Sequence, residues 1–279
     1  MLSLLLPLRA SGDRISNETL NQLIKLSGAH KQVSEISAIA WGGFLKGSEQ
    51  GPTIPSAELE KVKKAMESAF NPQSMMEIIS NEIQTNITEK EGLELITWYI
   101  SDEGAKITAA EERASSNEGI QQMFREARTL LIDKDRVNRA IEIDRLISGT
   151  EMTLSLQRYS EIALFTAFQA LKEPTTPVNI AEFNTRMYTH EQKARAQAQQ
   201  LTILSIAFCY KNIEETLLNN YIEFLKSEAA KKYTKVGMEG FKEAFRKSTD
   251  QMALLLAKIA REQLETIDNP PIKLKPQQH

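Results

Sequence analysis

The segment "TWYISDEGAKIT", Thr97 to Thr108, sets a serine, an acidic pair and a lysine beside two aromatics. Ser101 could act as a nucleophile given a base within hydrogen-bond reach, and Asp102 or Lys106 could move a proton given a pocket that shifts its pKa. A similar serine, Ser227, stands in "EFLKSEAAKKYT". Neither serine has a histidine near it in sequence or the glycine pattern of a nucleophile elbow. Capping of a helix is therefore the expected role of both, through a side-chain oxygen that accepts from an exposed backbone amide.

The other reactive side chains are as sparsely placed. His30, His190 and His279 lie far apart, "HEQKA" after His190 lacks the second histidine of a zinc-protease helix, and no Glu-x-x-His spacing occurs. No metal and no cofactor are expected. "GGFLKGSEQG" has glycines and a lysine but not the order of a phosphate loop. The carboxylate pairs Glu111–Glu112 and Glu214–Glu215 read as solvated helix faces. Cys209 is the single cysteine, which excludes an intrachain disulfide and a thiolate cluster, and it reads as a small buried apolar side chain. The chain is thus expected to be non-catalytic, with an enzyme of unknown type as the remaining alternative.

Charge removes another class. Lys and Arg total 34 against 37 Asp and Glu, interleaved along helical faces, so the excess of clustered cations that binds nucleic acid is missing. Residues 1–16 begin "MLSLLLPLRASGD", an apolar run that loosely resembles the end of a secretory signal. Two readings fit it: a truncated signal peptide whose start lies upstream, or an N-terminal arm packed on the fold. No later stretch approaches the ~20 apolar residues of a membrane-spanning helix.

These residues must be positioned by helices, because apolar residues recur at helical spacing almost throughout and alternating patterns are nearly absent. Leu20, Leu23, Ile24 and Leu26 share a face, with Asn17 as the expected N-cap and Gly28 as the stop. Pro72 suits a first helical turn, and Thr88 with Glu91 has the spacing of a capping box. The same spacing recurs at Asn179 with Glu182 and at Asn212 with Glu215. A long helical run is expected from about Asp102 to Leu131.

Two segments match across the chain. Trp98 falls on Phe224, Ser101 on Ser227, Asp102 on Glu228, Lys106 on Lys232 and Thr108 on Thr234, all at one offset. "LIKLSG" and "DRLISG" match as well, with Gly28 on Gly149. The fold expected is all-α, without sheet: two tandem, similar multi-helix units, 17–132 and 133–268, packed as a helical bundle, with a C-terminal tail over 269–279. Each matched segment is read as a joint between helices. Trp98, Tyr99 and Phe224 would bury an aromatic face, and Ser101 and Ser227 would cap the next helix. Gly104 would let the helices cross closely, and Lys106 and Lys232 would lay their stems on apolar surface with the ammonium in water.

"LELITWYISDEGAKIT", and more weakly "LNNYIEFLKSEAAKKYT", resemble the characteristic segment of domain-of-unknown-function family 2059, in which an aromatic pair, a spaced serine, a small residue and a lysine join two helices. Asp102 departs from that pattern where members often carry proline, and Ala230 replaces the glycine. The resemblance implies a small all-helical domain, often in exported proteins of Gram-negative bacteria, with no assigned activity. It implies a periplasmic or otherwise exported location; composition alone fits a cytoplasmic one equally. Two non-catalytic roles follow. One is a scaffold that binds a protein partner through an apolar groove, with Met75, Met76 and Met123 as adaptable contacts. The other is a bundle that encloses an apolar small molecule or lipid, lined by Trp41, Phe44, Trp98, Phe165 and Phe168.

Overall fold

The computed structural model describes residues 13–48, 56–172 and 191–268. Helices fill nearly all of them, as the 3.6-residue periodicity requires, and no strand occurs among the described residues. In chain order they are α1 (Asn17–Leu26), α2 (Ala29–Ser48), α3 (Ser56–Ala69), α4 (Pro72–Asn86), α5 (Glu89–Tyr99) and α6 (Asp102–Ser115). Then come α7 (Asn117–Ile132), α8 (Lys134–Ile147), α9 (Gly149–Lys172), α10 (Glu191–Cys209), α11 (Glu215–Lys226) and α12 (Glu228–Asp268). Residues 1–12 and 269–279, and the capping box expected at Asn179 and Glu182, lie outside the described residues.

Serine and threonine hydroxyls cap α1, α5, α6 and α7, while Asn71 caps α4 and Asp133 caps α8. Ser16, not Asn17, caps α1: its Oγ accepts from the Thr19 amide at 3.2 Å. Glu89, at the start of α5, reinforces that cap by accepting from the Ser16 amide at 2.6 Å and the Thr19 hydroxyl at 2.5 Å. The chain just before α1 lies against the start of α5, with the Ile15 amide donating to the Ile87 carbonyl at 3.0 Å. Thr88 and Glu91 do form the capping box. Asn212 and Glu215 do not; Glu214 occupies the N-cap without a side-chain bond, and Glu215 accepts from Arg139 at 2.8 Å instead.

The run expected from Asp102 to Leu131 is two helices, because Ser116 stops α6 and caps α7 by accepting from the Gly119 amide at 3.0 Å. Gly28 ends the α1 turn in the left-handed region, at φ 70°. In the matching turn after α8 the left-handed residue is Ser148, one position ahead of Gly149.

Among the described residues two large hydrophobic cores organise the helices, and each draws on distant parts of the chain. The first gathers Leu23, Met75, Ile83 and Leu95 from α1, α4 and α5 with Ala230, Val236 and Ala244 from α12. The second gathers Ile107, Met123 and Leu130 from α6 and α7 with Ile143, Phe208 and Leu218 from α8, α10 and α11. Long-range packing links them: α12 packs on α3, α4 and α5, while α6 and α7 pack on α10 and α6 also on α11. The long α12 packs on α9 as well, so it joins the first core to the second half of the chain. Burial of this kind, worth roughly 1.5–3 kcal/mol per large apolar side chain, is what holds the amphipathic helices in place.

Candidate functional site

Each joint is short and built alike. The Ser101 amide donates to the Trp98 carbonyl at 3.0 Å, and the Ser227 amide to the Phe224 carbonyl at 3.0 Å. Ser101 Oγ then accepts from the Gly104 amide at 3.0 Å, and Ser227 Oγ from the Ala230 amide at 3.2 Å. Gly104 differs from Ala230 in need: a Cβ there would come within 2.1 Å of the Trp98 carbonyl oxygen. Both serine hydroxyls are thus occupied as caps, with Asp102 and Glu228 in the first turn where the helix dipole favours an acid.

The two joints meet. Trp98 stacks on Phe224 with ring centroids 4.5 Å apart and planes 7° from parallel, and Tyr99 meets Phe224 edge-on at 5.9 Å. Trp98 Nε1 is buried without a partner among the described residues. Lys106 is exposed. Lys232 is not simply solvated, as the sequence suggested; its ammonium bridges to Glu91 at 2.7 and 2.8 Å, tying α12 to the capping box of α5. The Lys232 and Thr88 hydrogen bonds outweigh the opposing effect of burial and hold the Glu91 carboxyl below its usual range.

Beside the stack sits a group the sequence reading assigned to solvent. Glu111, on the buried face of α6 with Ile107 and Ala110, accepts from the Tyr210 hydroxyl at 2.7 Å and the Tyr221 hydroxyl at 2.9 Å. Burial pushes its carboxyl up, against the opposing pull of the two phenols. Burial and the Glu111 charge push Tyr210 and Tyr221 well up in turn. The Cys209 thiol is raised well above its usual value by burial and by Glu111, so it is no thiolate nucleophile at neutral pH. Glu112, next in sequence, does face water and pairs with Lys31 at 2.7 Å. The signal in the sequence was spacing: Glu111 follows Ile107 by one helical turn, which puts it on the apolar side. Both phenols bond one oxygen of a carboxyl held among protonated groups, an arrangement that joins α6 to α10 and α11.

The apolar-groove residues are divided. Met75 and Met76 are buried in the first core, and Trp41 packs against it. Phe44 lies on α2, Phe165 and Phe168 on α9, with side chains outside the described residues. What opens to solvent beside Met76 is a polar cleft of about 940 Å³ between α1, the start of α2 and α4. Leu20 and Met76 form its buried floor. Asn17 and Asn21 line one wall with His30, and Gln73, Glu77, Asn81 and Gln84 line the other. Gln84 Nε2 donates to Asn17 Oδ1 across the cleft at 2.5 Å, and Gln73 Nε2 donates to Glu77 at 3.2 Å. The sequence carried this face as the polar side of α4, at steps of four and three residues, but not its concavity, which depends on where α1 crosses.

No group of three or more His, Cys, Asp or Glu side chains that could hold a metal occurs among the described residues. No described helix is long and apolar enough to cross a membrane. Comparison of the chain with protein-family models, with curated proteins and with solved structures gave no match.

Proposed function

We propose that the protein is a non-catalytic helical scaffold that engages a protein partner through the cleft between α1, α2 and α4. The observation that carries this reading is the cleft itself: an open concavity of about 940 Å³ mounted on the first core, with polar side chains, among them the Glu77 carboxylate, turned to solvent. Groups with chemical potential elsewhere are committed to structure. Ser101 and Ser227 cap helices, and Glu111 holds two tyrosines. Of the residues that would line an internal ligand site, Trp98 is stacked on Phe224 and Trp41 packs on the first core. Met75 and Met76, expected as contacts of an apolar partner groove, are buried in that core, so the cleft replaces the apolar groove in this reading.

The architecture is read as a duplicated unit whose copies exchange their closing helices. The equal bonding of the two joints and the long-range packing of α12 and of α6 with α7 support it, since equivalent residues meeting each other, as Trp98 and Phe224 do, mark a two-fold relation between copies. An envelope or periplasmic location rests on the resemblance to family 2059 and on the leucine-rich run of residues 1–16. Native mass spectrometry of the protein from its own host tests the functional reading. A retained polypeptide that is lost on Asn81→Arg supports it. A retained small molecule, or a partner indifferent to that substitution, contradicts it.

A further inference from the structure

The polar wall of the cleft has a regular spacing. Gln73, Glu77 and Asn81 recur every four residues along α4, and Gln84 follows three residues on, where it reaches across to Asn17. At 1.5 Å per residue the steps are ~6 Å. An extended chain repeats every two residues at ~6.6 Å. Each carboxamide carries two N–H donors and a carbonyl acceptor, the complement of a peptide group's own donor and acceptor. Asn17 and Asn21 repeat the four-residue step on the opposite wall, and the 2.5 Å bond from Gln84 to Asn17 uses one donor and one acceptor of that set.

The charge of the lining is one-sided. Glu77 is its one carboxylate, exposed and bonded to Gln73, while no Lys or Arg belongs to the described lining. The described lining contains no Trp, Tyr or Phe face for a sugar ring. Its floor, Leu20 and Met76, is too small an apolar surface for the seam of an amphipathic helix, which needs anchors over successive turns.

We infer that the cleft binds an extended polypeptide segment, its backbone met by the carboxamides of Asn17, Asn21, Asn81 and Gln84 and a basic side chain met by Glu77. This inference rests on the partner reading above and specifies the form of that partner. Main-chain recognition supplies the contact, and the single carboxylate selects lysine or arginine at one position.

The side-chain NH₂ groups report the binding directly. Nitrogen–proton spectra of the full-length chain would be titrated with two acetylated, amidated nine-residue peptides of alternating serine and threonine, one with a central lysine and one with a central glutamate. The expected result is a saturable shift of the Asn17, Asn21, Asn81 and Gln84 amide pairs. Binding of the lysine peptide should be roughly three- to five-fold tighter, the size of one surface ion pair. Glu77→Gln should erase that preference with the shifts retained, and Asn81→Arg should remove the shifts. Absence of shifts, equal binding of the two peptides, or tighter binding of a stapled helical peptide of the same charge overturns the inference. A host partner that still depends on Asn81 would then leave the partner reading standing and refute only the extended form.

Discussion

Trp98 and Phe224 lie face to face at 4.5 Å, and Phe224 packs against both hydrophobic cores. The stack is where the two joints become one structure. Phe224→Ala should cost about 3 kcal/mol or more, as removal of a large packed ring does. In a double-mutant cycle with Trp98→Ala, the coupling should be about 0.5–1.5 kcal/mol, measured by urea unfolding. Trp98→Phe should be close to neutral, because it keeps a ring on Phe224 and removes an indole N–H that is buried without a partner among the described residues. Additive single mutants would show that the rings merely share a neighbourhood.

The joints differ at the small residue where the helices cross, Gly104 against Ala230, and that difference is measurable. Gly104→Ala brings a methyl against the Trp98 carbonyl and should destabilise by about 1–3 kcal/mol. Ala230→Gly should cost only about 1 kcal/mol, the helix propensity of alanine over glycine. Ser101→Ala should cost about 0.5–2 kcal/mol by loss of the cap. Thermal unfolding of the three variants ranks them. A loss of partner binding in Ser101→Ala at unchanged stability would assign that serine a role beyond capping.

The Lys232–Glu91 bridge should act through pH in the acid range. Because the folded carboxyl is held below its usual value, its stabilisation is present above the unfolded value of ~4.3 and is lost as pH falls through the lowered folded value. Both side chains are partly exposed, so Lys232→Met should cost no more than about 1 kcal/mol at neutral pH. The variant and the parent should converge below that window. A cost that stays constant with pH would locate the effect in the lysine stem instead of its charge.

Glu111 has the opposite sign. Its folded carboxyl is raised, so its contribution is fully present below the unfolded value and is lost as pH rises through the folded one. Glu111→Gln keeps an acceptor for Tyr210 and Tyr221 but cannot ionise. Urea unfolding at pH 4 and pH 8 should show a smaller fall in stability with rising pH than in the parent. An unchanged slope would mean that the carboxyl reaches water easily.

Legibility from sequence followed the range of the interaction. Helix content, the Thr88–Glu91 box, the stop at Gly28 and the caps Ser101 and Ser227 were readable because each is settled within a few residues of itself. The break at Ser116 was readable in principle, since "SSNEG" repeats the serine-to-glycine spacing of Ser101 and Gly104, but the surrounding periodicity masked it. Glu111 was misread because its partners, Tyr210 and Tyr221, stand on α10 and α11, and nothing near it in sequence announces them. Ser16 displaced Asn17 as a cap for a similar reason: Glu89, far along the chain, fixes that turn. The cleft needed α1 laid across α4, so its amides looked like an ordinary solvated face.

The most direct test of the partner reading is photo-crosslinking in the living host, with a benzophenone amino acid in place of Ser80 within the cleft or of Arg128 on the exposed side of α7. The account predicts one discrete protein adduct from position 80, none of it from position 128, and loss of the adduct when Asn81→Arg is added. The same adducts from both positions, or none from position 80, would contradict it.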